Sequence, residues 1–182
     1  MAPELHFDLT LFPDPLLRWP ALPVAAFDEE LRAIVAGMFE RMYASKGVGL
    51  AAPQVGLKKR LLVLSPSGEK QDELVLVNPR ILERSGAATL FEEGCLSFPG
   101  IYAEVERPES CRVQAFRVDG TAFEQDFGGF TSRIIQHEYD HLEGVLLVDR
   151  MSPADRLRNK AALEELITKY KRRASAASSS RS

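Results

Sequence analysis

Hydrophobic positions along the chain change period several times, and the changes mark out its elements. Residues 1 to 27 contain five prolines and no sustained period, which predicts irregular or short extended structure. From Asp28 onward Leu31, Ile34, Val35, Met38 and Met42 recur at helical spacing behind an acidic first turn, Glu29 and Glu30. Asp28 is the expected N-cap, and Gly47 and Gly49 the expected stop. Between there and about residue 127 the pattern is that of short strands. RLLVL at 60–64 and ELVLV at 73–77 flank the turn-forming Ser65-Pro66-Ser67-Gly68. Cys111, Val113 and Ala115 alternate with Arg112, Gln114 and Phe116 ahead of an Asp119-Gly120 hairpin signal. Gly128-Gly129 breaks the strand region. A second helix is expected over 131–143 with Gly144 as its stop, followed by a last short strand, VLLV at 145–148. Ser152-Pro153-Ala154-Asp155 then caps a third helix striped by Leu163, Leu166, Ile167 and Tyr170.

This order implies an α+β fold, with small antiparallel or mixed sheets around the second helix and further helices near each end. Residues 1–173 read as one catalytic domain and 174–182, ASAASSSRS, as a disordered tail. The chain is 182 residues long, 45% hydrophobic and 27% charged, enough to bury a core without disulfides. A formal charge of −3 gives no reason to expect direct DNA binding. Two cysteines, Cys95 and Cys111, form no secreted framework. The first twelve residues look like neither a secretory signal nor a transit peptide, and no apolar run has the length of a membrane span. A cytoplasmic setting of bacterial type is expected, with an organelle as the alternative.

The informative chemistry lies in Gln136-His137-Glu138-Tyr139-Asp140-His141. Histidines four apart on a helix stand one turn above each other, so both imidazoles can reach one metal ion. Glu138 is offset by 100° and can act as a general base on water at that ion. The alternative is two hydrogen-bonded histidines on an ordinary helix, whose apolar face would also hold Ile134. A catalytic ion needs a third protein ligand. Cys95, after Gly94, offers a thiolate, although a free cysteine is more often a core residue, as Cys111 is expected to be.

Three segments in order resemble the peptide deformylase family: Gly47-Val48-Gly49-Leu50-Ala51-Ala52-Pro53-Gln54, Glu93-Gly94-Cys95-Leu96-Ser97 and residues 136–141. The resemblance runs from Phe12-Pro13-Asp14-Pro15 to the last helix. It implies removal of the formyl group from N-formylmethionyl peptides, with Cys95, His137 and His141 holding a divalent ion. The resemblance implies Fe2+ in the cell, with Zn2+, Ni2+ or Co2+ possible in preparations. It further implies Glu138 as the base, and Gln54 with the backbone N–H of Leu96 as oxyanion donors. The peptide would lie extended along a strand past Gly49 and Gly94, its methionine in an apolar pocket near Ile134 and Phe130. Arg107 is a plausible partner for Glu93. Two positions depart from the commonest bacterial pattern: Arg133 replaces an aliphatic residue, and Tyr102 stands near a substrate-contacting arginine. The run from Arg133 to His141 is closer to the organelle-type and related bacterial subgroup. Lys169, Lys171, Arg172 and Arg173 read as a solvated helix face that the resemblance would allow to contact the ribosome. The competing readings are a metallopeptidase and a closed structural metal site. His6 is the only histidine left to complete the latter.

Overall fold

The computed structural model describes residues 5–179. Helix α1, Glu29–Ala44, begins where expected, with the Leu31 N–H donating to Asp28 Oδ1 at 3.0 Å. It ends earlier than the glycines suggested: Ser45 caps it and Lys46 takes the left-handed turn (φ 55°), freeing Gly49 to open a strand. Met38 and Met42, both fully buried, seat α1 on Leu50, Leu61 and Val63.

The strands form one antiparallel sheet in chain order: β1 (Gly49–Ala51), β2 (Leu61–Leu64), β3 (Leu74–Cys95), β4 (Phe98–Phe116) and β5 (Ala122–Gly128). The Asp119-Gly120 turn closes the β4–β5 hairpin, with Gly120 N–H donating to Arg117 O and Arg117 N–H to Thr121 O. β3 and β4 pair along almost their whole length, with register shifts that bend the ribbon. On β4 the buried positions are Phe98, Ile101, Ala103, Val105, Arg107, Cys111, Val113 and Ala115. Strand periodicity therefore turns Arg107 inward, where a charge must find partners.

Helix α2, Gly129–Leu142, crosses the sheet and packs on β1, β2, β4 and β5, burying Ile135 and Leu142 completely. Residues 145–148 correct the expectation of a final strand. Gly144, at φ 73°, turns the chain so tightly that a Cβ there would lie 2.4 Å from Arg18 O. Leu147–Arg150 then forms a short helix, α3, with Leu146 N–H donating to Asp149 Oδ2 at 2.8 Å. Leu146, Leu147 and Val148 pack with Leu17, Phe98 and Ile101 instead of joining the sheet.

The third expected helix is two, α4 (Pro153–Arg158) and α5 (Lys160–Ser179), separated at Asn159. Ser152 Oγ caps α4 by accepting from Asp155 N–H. In the stripe on α5 Leu166 is buried, while Leu163, Ile167 and Tyr170 are half-buried. α5 continues through the alanine-rich residues 174–179, where disorder was expected; alanine favours helix even without packing. The rest of that expected tail, 180–182, lies outside the described residues.

Candidate metal centre

α2 presents His137 and His141 one turn apart, their ring centroids separated by 5.4 Å. Cys95 reaches them from the end of β3, where the chain turns into β4 and Cys95 pairs with Phe98. One ligand atom from each of Cys95, His137 and His141 lies within 4.8 Å of the others. Cys95 Sγ stands 3.3 Å from His141 Nε2. Sulfur and nitrogen on one tetrahedral ion are separated by roughly 3.5 Å, given ordinary bond lengths to zinc. The three side chains thus fit a shared divalent cation, and among the described residues no fourth His, Cys, Asp or Glu joins the group. His6, the remaining histidine, pairs with Glu40 on α1.

Glu138 lies beside this group, 5% exposed, with Oε2 buried and without a hydrogen-bond partner. Burial pushes its carboxyl up to about 7. Gly49 makes room for it, since a Cβ there would stand 2.6 Å from Glu138 Oε1 and 2.7 Å from Ile134. Burial also draws the His141 imidazole well below its ordinary range, which keeps it in the neutral form that ligates. Burial opposes protonation of His137 too, but Cys95 and Glu93 outweigh it and raise that ring when no ion displaces its proton.

Behind the histidines is a buried set of charges. Glu93 contacts His137 Nδ1 through Oε2 at 2.9 Å, an arrangement that leaves Nε2 for ligation. Arg107 forks onto the same carboxylate, Nε to Oε1 at 2.7 Å and Nη2 to Oε2 at 3.0 Å, the pairing expected for Glu93. Burial alone would raise the Glu93 carboxyl; the bonds to His137 and Arg107 win and hold it at about 2. Arg107 Nη1 also donates to Asp140 Oδ2, and Arg150 forks onto Asp140 from α3. Arg133, which looked like a pocket anomaly, donates to Glu93 Oε1 at 2.9 Å. No local pattern announced Arg133 or Arg150 as partners, because both pairings depend on tertiary placement.

Gln54 is buried beside Cys95. Its Oε1 accepts from the Ala51 N–H at 2.9 Å, which directs Nε2 toward Cys95 Sγ (3.5 Å) and Ser97 Oγ (3.2 Å). A cavity of about 620 Å³ opens in front of the group. Glu138, His137, Cys95, Leu96, Gly49 and Gly94 line it, as do Ile134, Phe130 and Tyr102. His141 and Gln54 are not among its lining residues. Tyr102 and Phe130 are about half exposed, and Tyr102 packs over Gly94, where a Cβ would stand 2.8 Å from its ring. Phe91, which the sequence reading did not single out, joins the same wall. Cys111 is buried away from the site and accepts from Ser132 Oγ at 3.3 Å, as a core thiol.

Known proteins are similar to this chain along most of its length. A peptide deformylase of Alkalilimnicola ehrlichii is 46% identical, covering 88% of this chain and 90% of its own. One from Thermotoga maritima is 42% identical, covering 91% of this chain and 99% of its own. Peptide deformylase 1B of Arabidopsis thaliana is 46% identical over 93% of this chain, and the chain spans 64% of that protein's length. The chain spans 65% of the corresponding rice protein. Among solved structures, a plant peptide deformylase superposes with a TM-score of 0.90 at 44% identity, covering 95% of each chain. One from Plasmodium falciparum gives 0.88 at 40% identity, covering 90% of this chain and 97% of the other. The family model for polypeptide deformylase matches residues 7–157, and with these relatives it establishes that the chain belongs to the peptide deformylase family.

Proposed function

We propose that this protein hydrolyses the formyl group from the N-terminal formylmethionine of nascent proteins, releasing formate. The observation that carries the reading is the convergence of Cys95, His137 and His141 beside buried Glu138, at the wall of a cavity large enough for a peptide end. Those three side chains would hold one divalent ion, ferrous in the cell, with zinc, nickel or cobalt able to replace it. When bound, such an ion polarises a carbonyl oxygen and makes water a usable nucleophile near neutral pH.

The remaining work falls to the chain. Glu138, poised at about 7, takes the proton from water as it attacks the formyl carbon. It returns that proton to the amine nitrogen as the C–N bond breaks, so formate and a free N-terminus leave. Negative charge gathering on the carbonyl oxygen would be met by a Gln54 Nε2–H and the Leu96 N–H. Each donor of this kind is worth about 2.7–4 kcal/mol in the transition state. Gln54 is already aimed by Ala51, and its contacts to Ser97 and Cys95 are long enough to be exchanged for a better acceptor. The peptide would pass Gly49 and Gly94 on the cavity wall, with methionine between Ile134 and Phe130 and Tyr102 at the mouth.

The direct test is formate release from formyl-Met-Ala-Ser. Glu138→Gln keeps shape and loses the base, so a folded, metal-loaded enzyme slowed by at least about a hundredfold is expected; near-normal turnover would remove Glu138 from the mechanism. Cleavage of unblocked peptides without formate release would favour a metallopeptidase instead. Residues 1–173 act as the catalytic unit in this reading, in a cytoplasm of bacterial type. A ribosome contact belongs to the same proposal, supported by Lys169, Lys171, Arg172 and Arg173 lying exposed on α5. Replacing Lys171, Arg172 and Arg173 with Glu should abolish pelleting with ribosomes while formate release from the tripeptide persists.

A further inference from the structure

Of the two buried arginines behind the histidines, Arg133 is the one that also lines the cavity, beside Phe91. Arg133 stands one turn before His137 on α2, its side chain only 10% exposed, next to apolar Ile134. Its guanidinium makes four hydrogen bonds. Nη1 donates to Glu93 Oε1 (2.9 Å) and Val105 O (3.0 Å), and Nη2 to Thr89 O (2.7 Å) and Thr89 Oγ1 (3.0 Å). Its Cζ lies 5.4 Å from the centre of the Phe91 ring, and both residues line the cavity. Charge balance does not require it, because Glu93 already has a bidentate partner in Arg107. What Arg133 adds is geometric: one planar group joins α2 to β3 at two points and to β4 at a third.

We infer that Arg133 is a positioning residue with two outputs, one through Glu93 to His137 and one through Thr89 to the cavity wall at Phe91. The inference rests on the function proposed above. Glu93 is held at Oε1 by Arg133 and Arg107 and meets His137 Nδ1 with Oε2, so it cannot rotate away from the imidazole while the Arg107 fork and the Arg133 bond persist. At the other end, the grip on Thr89 fixes β3 two residues before Phe91. The Phe91 ring is 53% exposed, and it rests against the guanidinium face. A side chain entering the cavity therefore meets a wall of fixed position. An ammonium cannot replace this fork, since its single point of attachment goes to the charged acceptor, Glu93, and leaves Thr89 unheld.

The two outputs separate in the cobalt(II)-loaded enzyme. One readout is the rate at which cobalt is lost to a chelator, and the other is the kcat/KM ratio of formyl-Met over formyl-Ala peptides. Arg133→Leu should speed cobalt loss by about tenfold, the usual scale for removing support behind a ligating histidine. It should also lower the Met-over-Ala ratio by about tenfold, mainly through KM, as a wall displaced by a fraction of an ångström would. Arg133→Lys should recover slow cobalt loss but not the ratio, and Thr89→Val should lower the ratio alone. Wild-type values of both readouts in Arg133→Leu, or recovery of both in Arg133→Lys, would overturn the inference while leaving the deformylase reading intact. If Arg133→Leu does not fold, Arg133→Lys and Thr89→Val decide the matter by the same two readouts. Failure of the wild-type enzyme to release formate would count against the proposed function instead.

Discussion

Arg107 and Arg112 stand five residues apart on β4, and each forks onto a carboxylate with nearly the same geometry. Arg107 meets Glu93 at 2.7 and 3.0 Å, and Arg112 meets Asp126 at 2.8 and 3.1 Å. The odd separation puts them on opposite faces of the strand. Arg107 is 5% exposed, and its partners go on to contact His137 and Arg150. Arg112 and Asp126 stand in solvent. Two nearly identical geometries therefore describe different physical objects. In solvent the pair replaces water contacts at little net gain. In the interior each charge has lost its water, and removing one partner strands the other.

The largest expected effect follows from that asymmetry. Arg107→Met should destabilise the fold by about 3 kcal/mol, at the low end for a broken buried pair because Arg133 and Arg150 still serve Glu93 and Asp140. In a domain of this size that is a fall in Tm of roughly 6–12 °C, measurable by thermal unfolding. A drop of only a degree or two would erase the distinction between the two arginines.

A smaller effect should appear on acidification. The Glu93 carboxyl sits at about 2 against an ordinary 4.5, so its contribution to stability is fully present above 4.5 and is lost as pH falls toward 2. Thermal unfolding of metal-free protein should show Tm falling across that window for wild type and less steeply for Glu93→Gln. Parallel curves would mean that Glu93 is not held ionised by its neighbours. Arg112→Ala should do least, leaving Tm unchanged within error, and a clear loss there would show that the exposed pair is worth more than solvent screening allows.

How far the site could be read from the sequence follows the same division between local and tertiary causes. His137, Glu138 and His141 lie within one turn and a half of helix, so helical periodicity alone puts the two imidazoles on one face and Glu138 a 100° step round from His137. Cys95 is 42 residues before His137, and only the resemblance of three segments tied it to the ion. Arg107 could be suspected as a partner of Glu93, but the four bonds of Arg133 span three elements and leave no periodic trace. The strand region was visible at 60–64 and 73–77, where buried apolar runs stand out. It was hidden over most of 80–94, because that half of β3 is largely exposed and has no need to alternate. The misread run at 145–148 shows the converse. Apolar residues mark burial, and it was the left-handed turn at Gly144 and the Asp149 contact to Leu146 that decided for helix over strand.

The central claim is that Cys95 Sγ joins the two imidazoles on one ion, and the ion content of Cys95→Ala tests it most directly. Wild type purified with cobalt(II) should carry one ion per chain and show an intense near-ultraviolet thiolate-to-cobalt band. Cys95→Ala should lose the band together with most of the ion, remain folded, and release no formate. A variant that keeps a full complement of cobalt and hydrolyses formyl-Met-Ala-Ser at the wild-type rate would contradict the account.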